Sequence, residues 1–335
     1  MISSLPGTAL AGRVYQAIPD FEDHLEHELG TWQDKWGPLY YADQHNAEGC
    51  QAPFWQQNIW LEPFRFEFDS ISQASAALRG IQRNWAPPSM PPAPVLHTQF
   101  RRASLIESQL PPISRKPRPF PWQVPDAGIG AWTLLDAHTL IASPRCSSPF
   151  PAGTIEFEED KIGPPSRAYL KLWEALVRCG TWPQRNEKCL DAGASPGGWT
   201  WALARLGAQV TAVDRAPLED RVLAMPGVTA LKHDAFTLNP EDIGPLDWLF
   251  SDVICYPPRL YEWIQKWLTS RLCKNFVCTI KMQGEADYET TQAFAEIPGG
   301  TVTHLYHNKH ELTWCKINSE PMEEKNGQAK NINDD

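Results

Sequence analysis

The chain has 335 residues, 42% of them hydrophobic and 15 of them tryptophan, which excludes a disordered polypeptide and leaves room for two domains with a sizeable core. Its net charge of −10 excludes a uniformly basic nucleic-acid binder; a nucleic acid would have to meet a small basic patch on an acidic body. No apolar run reaches the roughly 18 residues of a membrane span, and Met1–Arg13 lacks the charged start and apolar core of a secretory signal, so a cytoplasmic protein is expected.

Arg13–Ile18 reads as a strand and Phe21–Leu29 as an acidic amphipathic helix. Phe64–Phe68 alternates as a strand, and Ser70–Trp85 has helical spacing, with Ile71, Ala74, Ala77, Leu78 and Ile81 on one side. This series predicts a small α+β domain over residues 1–86. Residues 86–94 (APPSMPPAP) cannot continue a helix and predict a stiff linker or extended loop. His97–Leu110 is expected to return as a strand. Ser114–Trp122 (SRKPRPFPW) is the most basic and aromatic local stretch. Such interleaving can hold a phosphate backbone and stack a base; it fits equally a solvated loop whose aromatics fold onto the core. Trp132–Leu135 and Thr139–Ala142, around Asp136-Ala137-His138, read as a hairpin. Residues 87–150 thus form a linker and hairpin region.

A further domain is expected over residues 151–317. A helix at Ser166–Arg178 precedes alternating strands and helices, with strands at Lys188–Leu190, Ala208–Val213, Val228–Leu231, Leu246–Phe250, Asn275–Ile280, Val302–His307 and Glu311–Ile317. The alternation predicts a doubly wound α/β, mostly parallel sheet, and a closing hairpin around Asn308-Lys309-His310 would leave one strand antiparallel. The polar tail, 318–335, reads as disordered. The eight cysteines (Cys50, Cys146, Cys179, Cys189, Cys255, Cys273, Cys278 and Cys315) form no CxxC and no zinc-like Cys/His spacing, so reduced thiols and no metal are expected.

The segment Asp191-Ala192-Gly193-Ala194-Ser195-Pro196-Gly197-Gly198-Trp199 joins a strand to the helical stretch Thr200–Leu206. Glycines there let backbone approach a ligand. The turn lacks GxxxxGK[ST] and a clean GxGxxG, which argues against ATP, GTP or a nicotinamide dinucleotide. An acid at the strand end, Asp191, disfavours a pyrophosphate and suits a cationic ligand. Asp214 ends the next strand, where it can hold a ribose or cap a helix. Asp234 ends the third, where it can accept from an adenine amine or cap. Asp252 follows the fourth strand, and Lys281 ends the fifth, where a lysine is also a common solvated cap. Lys171 sits one turn into the helix ahead of the Gly turn, and Glu311 opens the last strand.

The pattern D-x-G-x-x-P-G-G-W at 191–199 resembles the S-adenosylmethionine loop of FtsJ-type ribose 2′-O-methyltransferases, and Lys171, Asp252, Lys281 and Glu311 are similar, in chain order, to the Lys-Asp-Lys-Glu set of those enzymes. Pro165-Ser166-Arg167-Ala168-Tyr169-Leu170-Lys171-Leu172, Thr279-Ile280-Lys281-Met282 and Leu305-Tyr306-His307-Asn308-Lys309-His310-Glu311-Leu312-Thr313 resemble the bacterial large-subunit rRNA cytidine 2′-O-ribose methyltransferases over roughly Cys146–Ile317. The resemblance implies a Rossmann-like sheet and S-adenosylmethionine bound by Asp191, Gly193, Ala194, Ser195, Pro196, Gly197, Gly198, Trp199, Asp214, Asp234 and Asp252. It implies ribosomal RNA as substrate and no metal. Lys281 would take or steer the 2′-OH proton, Lys171 would lower the pKa of Lys281 by repulsion, and Asp252 and Glu311 would hold the ammonium groups. That family carries an RNA-binding THUMP domain, for which the residues between Pro112 and Pro151 are too few, so 87–150 is expected to be a reduced RNA-binding region. Two other readings use the same sheet: a non-catalytic RNA- or ribosome-assembly-associated protein that keeps the pocket, and a nicotinamide-dependent oxidoreductase. The oligomeric state is left open.

Overall fold

The computed structural model describes residues 6–43, 52–87 and 94–318. Most of the Pro-rich stretch and nearly all of the expected tail therefore lie outside the described residues.

The chain begins with β1 (Thr8–Ala9), β2 (Arg13–Ala17), α1 (Glu22–Leu29), β3 (Asp34–Trp36), β4 (Leu39–Ala42) and β5 (Gln56–Trp60). Four of these strands form an antiparallel sheet in the order β3-β4-β2-β5. Glu22 and Asp23 suit the positive end of α1, and the helix lays Leu25 and Leu29 against Tyr15, Tyr40 and Ile59.

Next come β6 (Phe64–Glu67), α2 (Ile71–Ile81), β7 (Trp85–Ala86), α3 (Pro94–Glu107), β8 (Gly130–Leu134) and β9 (Thr139–Ser143). The Ser70 hydroxyl caps α2 by accepting from Gln73 N at 3.2 Å. The strand expected at His97–Leu110 is instead α3. The reason is legible afterwards: Ala103, Ile106 and Leu110 are spaced three and four apart, and all pack on the core beneath β6, β8 and β9. The helix expected over Ser70–Trp85 stops at Ile81, because Trp85 and Ala86 pair with Gly130 and Ala131. The boundary expected at residue 86 also cuts through a sheet. The hairpin β8–β9 pairs with β6 through Phe64↔Ala142 and joins β1 and β7 in the order β1-β6-β9-β8-β7.

The remaining elements are α4 (Tyr169–Cys179), β10 (Lys188–Ala192), α5 (Gly198–Arg205), β11 (Gln209–Asp214), α6 (Asp220–Leu223), β12 (Val228–Lys232), α7 (Pro240–Ile243), β13 (Leu246–Ser251), α8 (Pro257–Ser270), β14 (Cys273–Lys281), α9 (Tyr288–Ala295), β15 (Gly300–Thr303) and β16 (Glu311–Lys316). They build a seven-stranded, Rossmann-like sheet in the order β12-β11-β10-β13-β14-β16-β15. All neighbours from β12 to β14 are parallel, and β16 runs antiparallel to both of its neighbours. One face carries α4 and α5 on Cys189, Val210 and Trp248; the other carries α8, whose Trp263 and Trp267 are wholly buried against Leu190, Leu249 and Phe276. Each such large apolar side chain contributes roughly 1.5–3 kcal/mol of burial.

Candidate active site

In an open α/β sheet, ligands bind outside the carboxyl ends of the strands where the strand order reverses. Here that point lies between β10 and β13. Asp191, Asp214 and Lys281 lie in the last residues of β10, β11 and β14, and Asp252 directly follows β13. Because β16 runs the opposite way, its first residue falls at the same edge, in register Lys281↔Glu311. Five elements distant in sequence thus deliver their ionisable groups to one rim.

A cleft of about 440 Å³ opens there. Gly193, Ala194, Ser195, Pro196, Gly198, Trp199, Asp214, Asp234, Asp252 and Lys281 line it. Gly193 holds φ at +78°, and a Cβ there would sit 2.6 Å from Val253 Cγ2 and 2.9 Å from its backbone N. No other residue fits both the backbone angle and the space. Gly193→Ala is therefore expected to displace the turn and abolish ligand-induced stabilisation by S-adenosylhomocysteine in a thermal-shift measurement.

The acids at the rim differ. Asp214 Oδ2 accepts from Ser195 N at 3.0 Å and Oδ1 accepts from Ala216 N at 2.9 Å, so it braces the Gly turn. Asp234 Oδ1 accepts from Phe236 N at 3.0 Å, and Oδ2 meets Arg215 and, at 3.3 Å, Arg259. Burial acts to raise the Asp234 pKa, but the Arg215 hydrogen bond, the Phe236 amide and the charges of Arg215 and Arg259 outweigh it and hold it below the usual range. Asp234 thus caps the helical turn 235–237, as its alternative reading had it, whereas the helix expected from Ala216 begins only at Asp220 behind Glu219, so Asp214 caps no helix and closes a local turn instead.

Asp191 and Gly197 do not line the cleft. Asp191 is fully buried in β10, where its Oδ2 accepts from Thr200 Oγ1 at 2.6 Å. Its Oδ1 has no hydrogen-bond partner among the described residues. Burial first, then the charges of Asp252 and Asp214, pushes its pKa up from 3.8 to about 7. A carboxyl whose folded pKa is raised binds its proton more tightly in the native state, so stability falls as pH rises from about 4 to about 7. Asp191→Asn should cancel that slope in the unliganded protein. A Tm difference between variant and wild type that does not widen from pH 5 to pH 8 would show that the carboxyl is ionised throughout.

Lys171, Asp252, Lys281 and Glu311 meet in one cluster. Lys171 Nζ lies 2.9 Å from Asp252 Oδ1 and 2.6 Å from Glu311 Oε1, and Lys281 Nζ lies 3.1 Å from the same Asp252 oxygen. All four side chains are largely shielded from solvent. Burial disfavours the Lys171 ammonium, but Asp252 and Glu311 outweigh burial and raise its pKa above the ordinary lysine value. Lys171 is thus held as a cation.

One residue was not legible as part of the site. Glu174, fully buried one turn beyond Lys171, accepts from Tyr306 N (2.9 Å), His307 N (3.0 Å) and Arg178 Nε (2.9 Å), and its Oε2 lies 2.8 Å from His307 Nδ1. It ties α4 to the loop that leads into Glu311. The only sequence signal is its place three residues after Lys171, on the same helix face.

Among the described residues, no His/Cys/Asp/Glu group is arranged to hold a metal ion, and no helix is long and apolar enough to cross a membrane. Residues 164–289 match the FtsJ-like methyltransferase family model. The chain is 33% identical over 274 residues to the ribosomal RNA large subunit methyltransferase M of Xanthomonas campestris pv. campestris (strain B100), covering 76% of this chain and 70% of that protein. It is 31% identical over 185 residues to the protein of the same name from Azoarcus sp. (strain BH72), covering 50% of each chain, so it spans half the length of that relative. Among solved structures, a putative ribosomal RNA methyltransferase from Plasmodium falciparum superposes with a TM-score of 0.37 at 16% identity, over 46% of this chain and 97% of that one. With an FtsJ-like unit over residues 164–289 and a third of the aligned residues identical across 70% of the Xanthomonas protein, the chain belongs to the ribosomal RNA large subunit methyltransferase M family.

Proposed function

We propose that the protein transfers the methyl group of S-adenosylmethionine to a ribose 2′-hydroxyl of large-subunit ribosomal RNA. The observation that carries this is the Lys171–Asp252–Lys281–Glu311 cluster, whose Asp252 and Lys281 line the Gly-turn cleft.

The cleft fits a cationic, nucleoside-bearing donor. Its turn has no room for a Cβ at Gly193, its rim carries Asp214, Asp234 and Asp252, and a buried carboxyl oxygen of Asp191, at the end of the strand before the turn, has no partner among the described residues. Backbone of Gly193–Gly198 would hold the donor, with Asp214 and Asp234 toward its ribose and base and Asp252 toward its positive end. When bound, the donor supplies an electrophilic methyl on a sulfonium.

The side chains do the rest. A ribose hydroxyl is protonated at neutral pH and must lose its proton as it attacks. Lys281 borders both the donor cleft and the neighbouring basin that contains Lys171 and Glu311. It is therefore the amine placed to take a proton from a hydroxyl entering from that basin. Lys171, fixed by two carboxylates, supplies a standing positive charge beside the forming alkoxide. Asp252 Oδ1 accepts from Lys171 Nζ at 2.9 Å and lies 3.1 Å from Lys281 Nζ, and so fixes the separation of the two nitrogens.

Transfer of tritium from labelled S-adenosylmethionine to ribosomal RNA from cells lacking the gene, followed by mapping of modified riboses, tests the reading. A 2′-O-methyl group in the large-subunit RNA is the expected product. Label on a base, or no incorporation, would overturn it.

A further inference from the structure

The basin beyond Lys281 has a volume of about 910 Å³ and is walled on its inner side by Lys171, Lys281 and Glu311. Glu156, Tyr306 and Lys309 line both this basin and a second cleft of about 880 Å³, so the two are neighbours. The outer cleft lies between the N-terminal sheets, which contribute Phe21 and Asn84, and the catalytic unit, which contributes His304 and Asn308.

The basic, aromatic stretch 114–122 forms one wall. Its far end is clamped to the catalytic unit: Arg118 N donates to Glu156 O and Glu158 N donates to Arg118 O, both at 2.8 Å. The Phe120 ring stacks on Trp173 at 4.7 Å and packs into the core. Of the two readings of this stretch, the folded-in aromatic holds for Phe120 and for Trp122, which is half-buried against the same core and still lines the cleft. The cations do not follow them inward. Arg115, Lys116 and Arg118 line the cleft, and the Arg118 guanidinium lies 4.8 Å over the Trp122 ring. With Lys309 they set four cationic groups against the carboxylates of Asp20 and Glu156 and against Glu107, which Arg115 meets at 3.5 Å, on a chain whose net charge is −10.

We infer that this outer cleft is the entry path of a single RNA strand, its phosphates held by Arg115, Lys116 and Arg118, its bases resting on Trp122 and Tyr306, and its target ribose delivered through the basin to Lys281. Charge concentrated on an acidic body selects a polyanion and steers it to this face. The outer cleft has apolar walls at Ile113, Ile129 and Phe150 that suit unpaired bases and so favour a single strand. The strap is rigid at one end, so its cations are pre-positioned and little ordering is needed on binding. This inference rests on the methyltransferase reading above.

The test is fluorescence anisotropy of the full-length protein with a labelled single-stranded RNA of about 12 nucleotides and with the duplex of the same strand. The variant Arg115→Ala/Lys116→Ala/Arg118→Ala should bind the strand at least about tenfold more weakly. Its log K against log salt should flatten by about 2, as three lost phosphate contacts on a single strand require. Affinity for S-adenosylhomocysteine, which reads the remote donor cleft, should not change. Trp122→Ala should weaken strand binding several-fold with no change in salt slope. Strand affinity and salt slope unchanged in the triple variant, or a duplex bound more tightly than the strand, would overturn the path. Wild-type protein that binds the strand as expected but transfers no methyl to any RNA would instead overturn the methyltransferase reading.

Discussion

Lys281→Ala is expected to slow methyl transfer by about 10²–10⁴-fold, the usual contribution of a positioned general base. Binding of S-adenosylhomocysteine should stay nearly unchanged, because the glycine turn and the rim carboxylates are untouched. The informative companion is Lys281→Arg. Arginine keeps the positive charge and can still meet Asp252, but it cannot give up its proton. If Lys281 moves a proton, the arginine variant is as slow as the alanine variant. If Lys281 only supplies charge, arginine restores most of the rate. Transfer at the wild-type rate in the alanine variant would remove Lys281 from the chemistry altogether. Single-turnover measurement of labelled methyl transfer reads all three outcomes without interference from product release.

Glu174→Ala is expected to be the most damaging substitution to stability near the site. The carboxylate is fully buried and serves two backbone amides, the Arg178 guanidinium and the His307 ring. Removing it leaves all of these donors without their acceptor, and breaking a buried ion pair by deleting one partner costs about 3–5 kcal/mol. Burial alone would raise the Glu174 pKa, but Arg178 and His307 outweigh it and hold it below its ordinary value of 4.5. The sign follows: the stabilisation is fully present above about pH 4.5 and is lost as pH falls through the folded pKa. The gap in denaturation midpoint between wild type and variant should therefore narrow in acid. Chemical denaturation at pH 7 and at pH 4 measures it. A variant as stable as wild type at pH 7 would mean that the loop carrying Tyr306 and His307 is held by other contacts. Because that loop also leads into Glu311, the surviving folded fraction should transfer methyl groups more slowly.

Much of the site was readable because its signals are short. The turn at 191–199 needs glycine for a local backbone angle and a local close approach, and those demands sit within a few residues of one another. Strand ends are likewise marked by a buried run that stops, which places Asp214, Asp252 and Lys281 at one edge from the sequence alone. Glu311 was placed by the hairpin expectation, and the register Lys281↔Glu311 gives that expectation its geometric form. The errors came where local pattern and tertiary pairing disagree. The α3 segment was expected as a strand, and only its packing beneath β8 and β9 showed which period mattered. The division at residue 86 missed that β6 finds its partner beyond the Pro-rich stretch.

By itself, then, the sequence determined the alternating α/β plan and the glycine turn, since each depends on residues within one turn or one strand; the four clustered ionisable side chains were singled out as a set only by the family resemblance. Only the tertiary structure decided that Asp191 is fully buried, that Glu174 braces a loop 132 residues away, and that the basic strap lines the outer cleft. The physical reason is the same in each case. Burial and ion pairing are set by what distant segments bring into contact, and no periodicity within a segment carries that information.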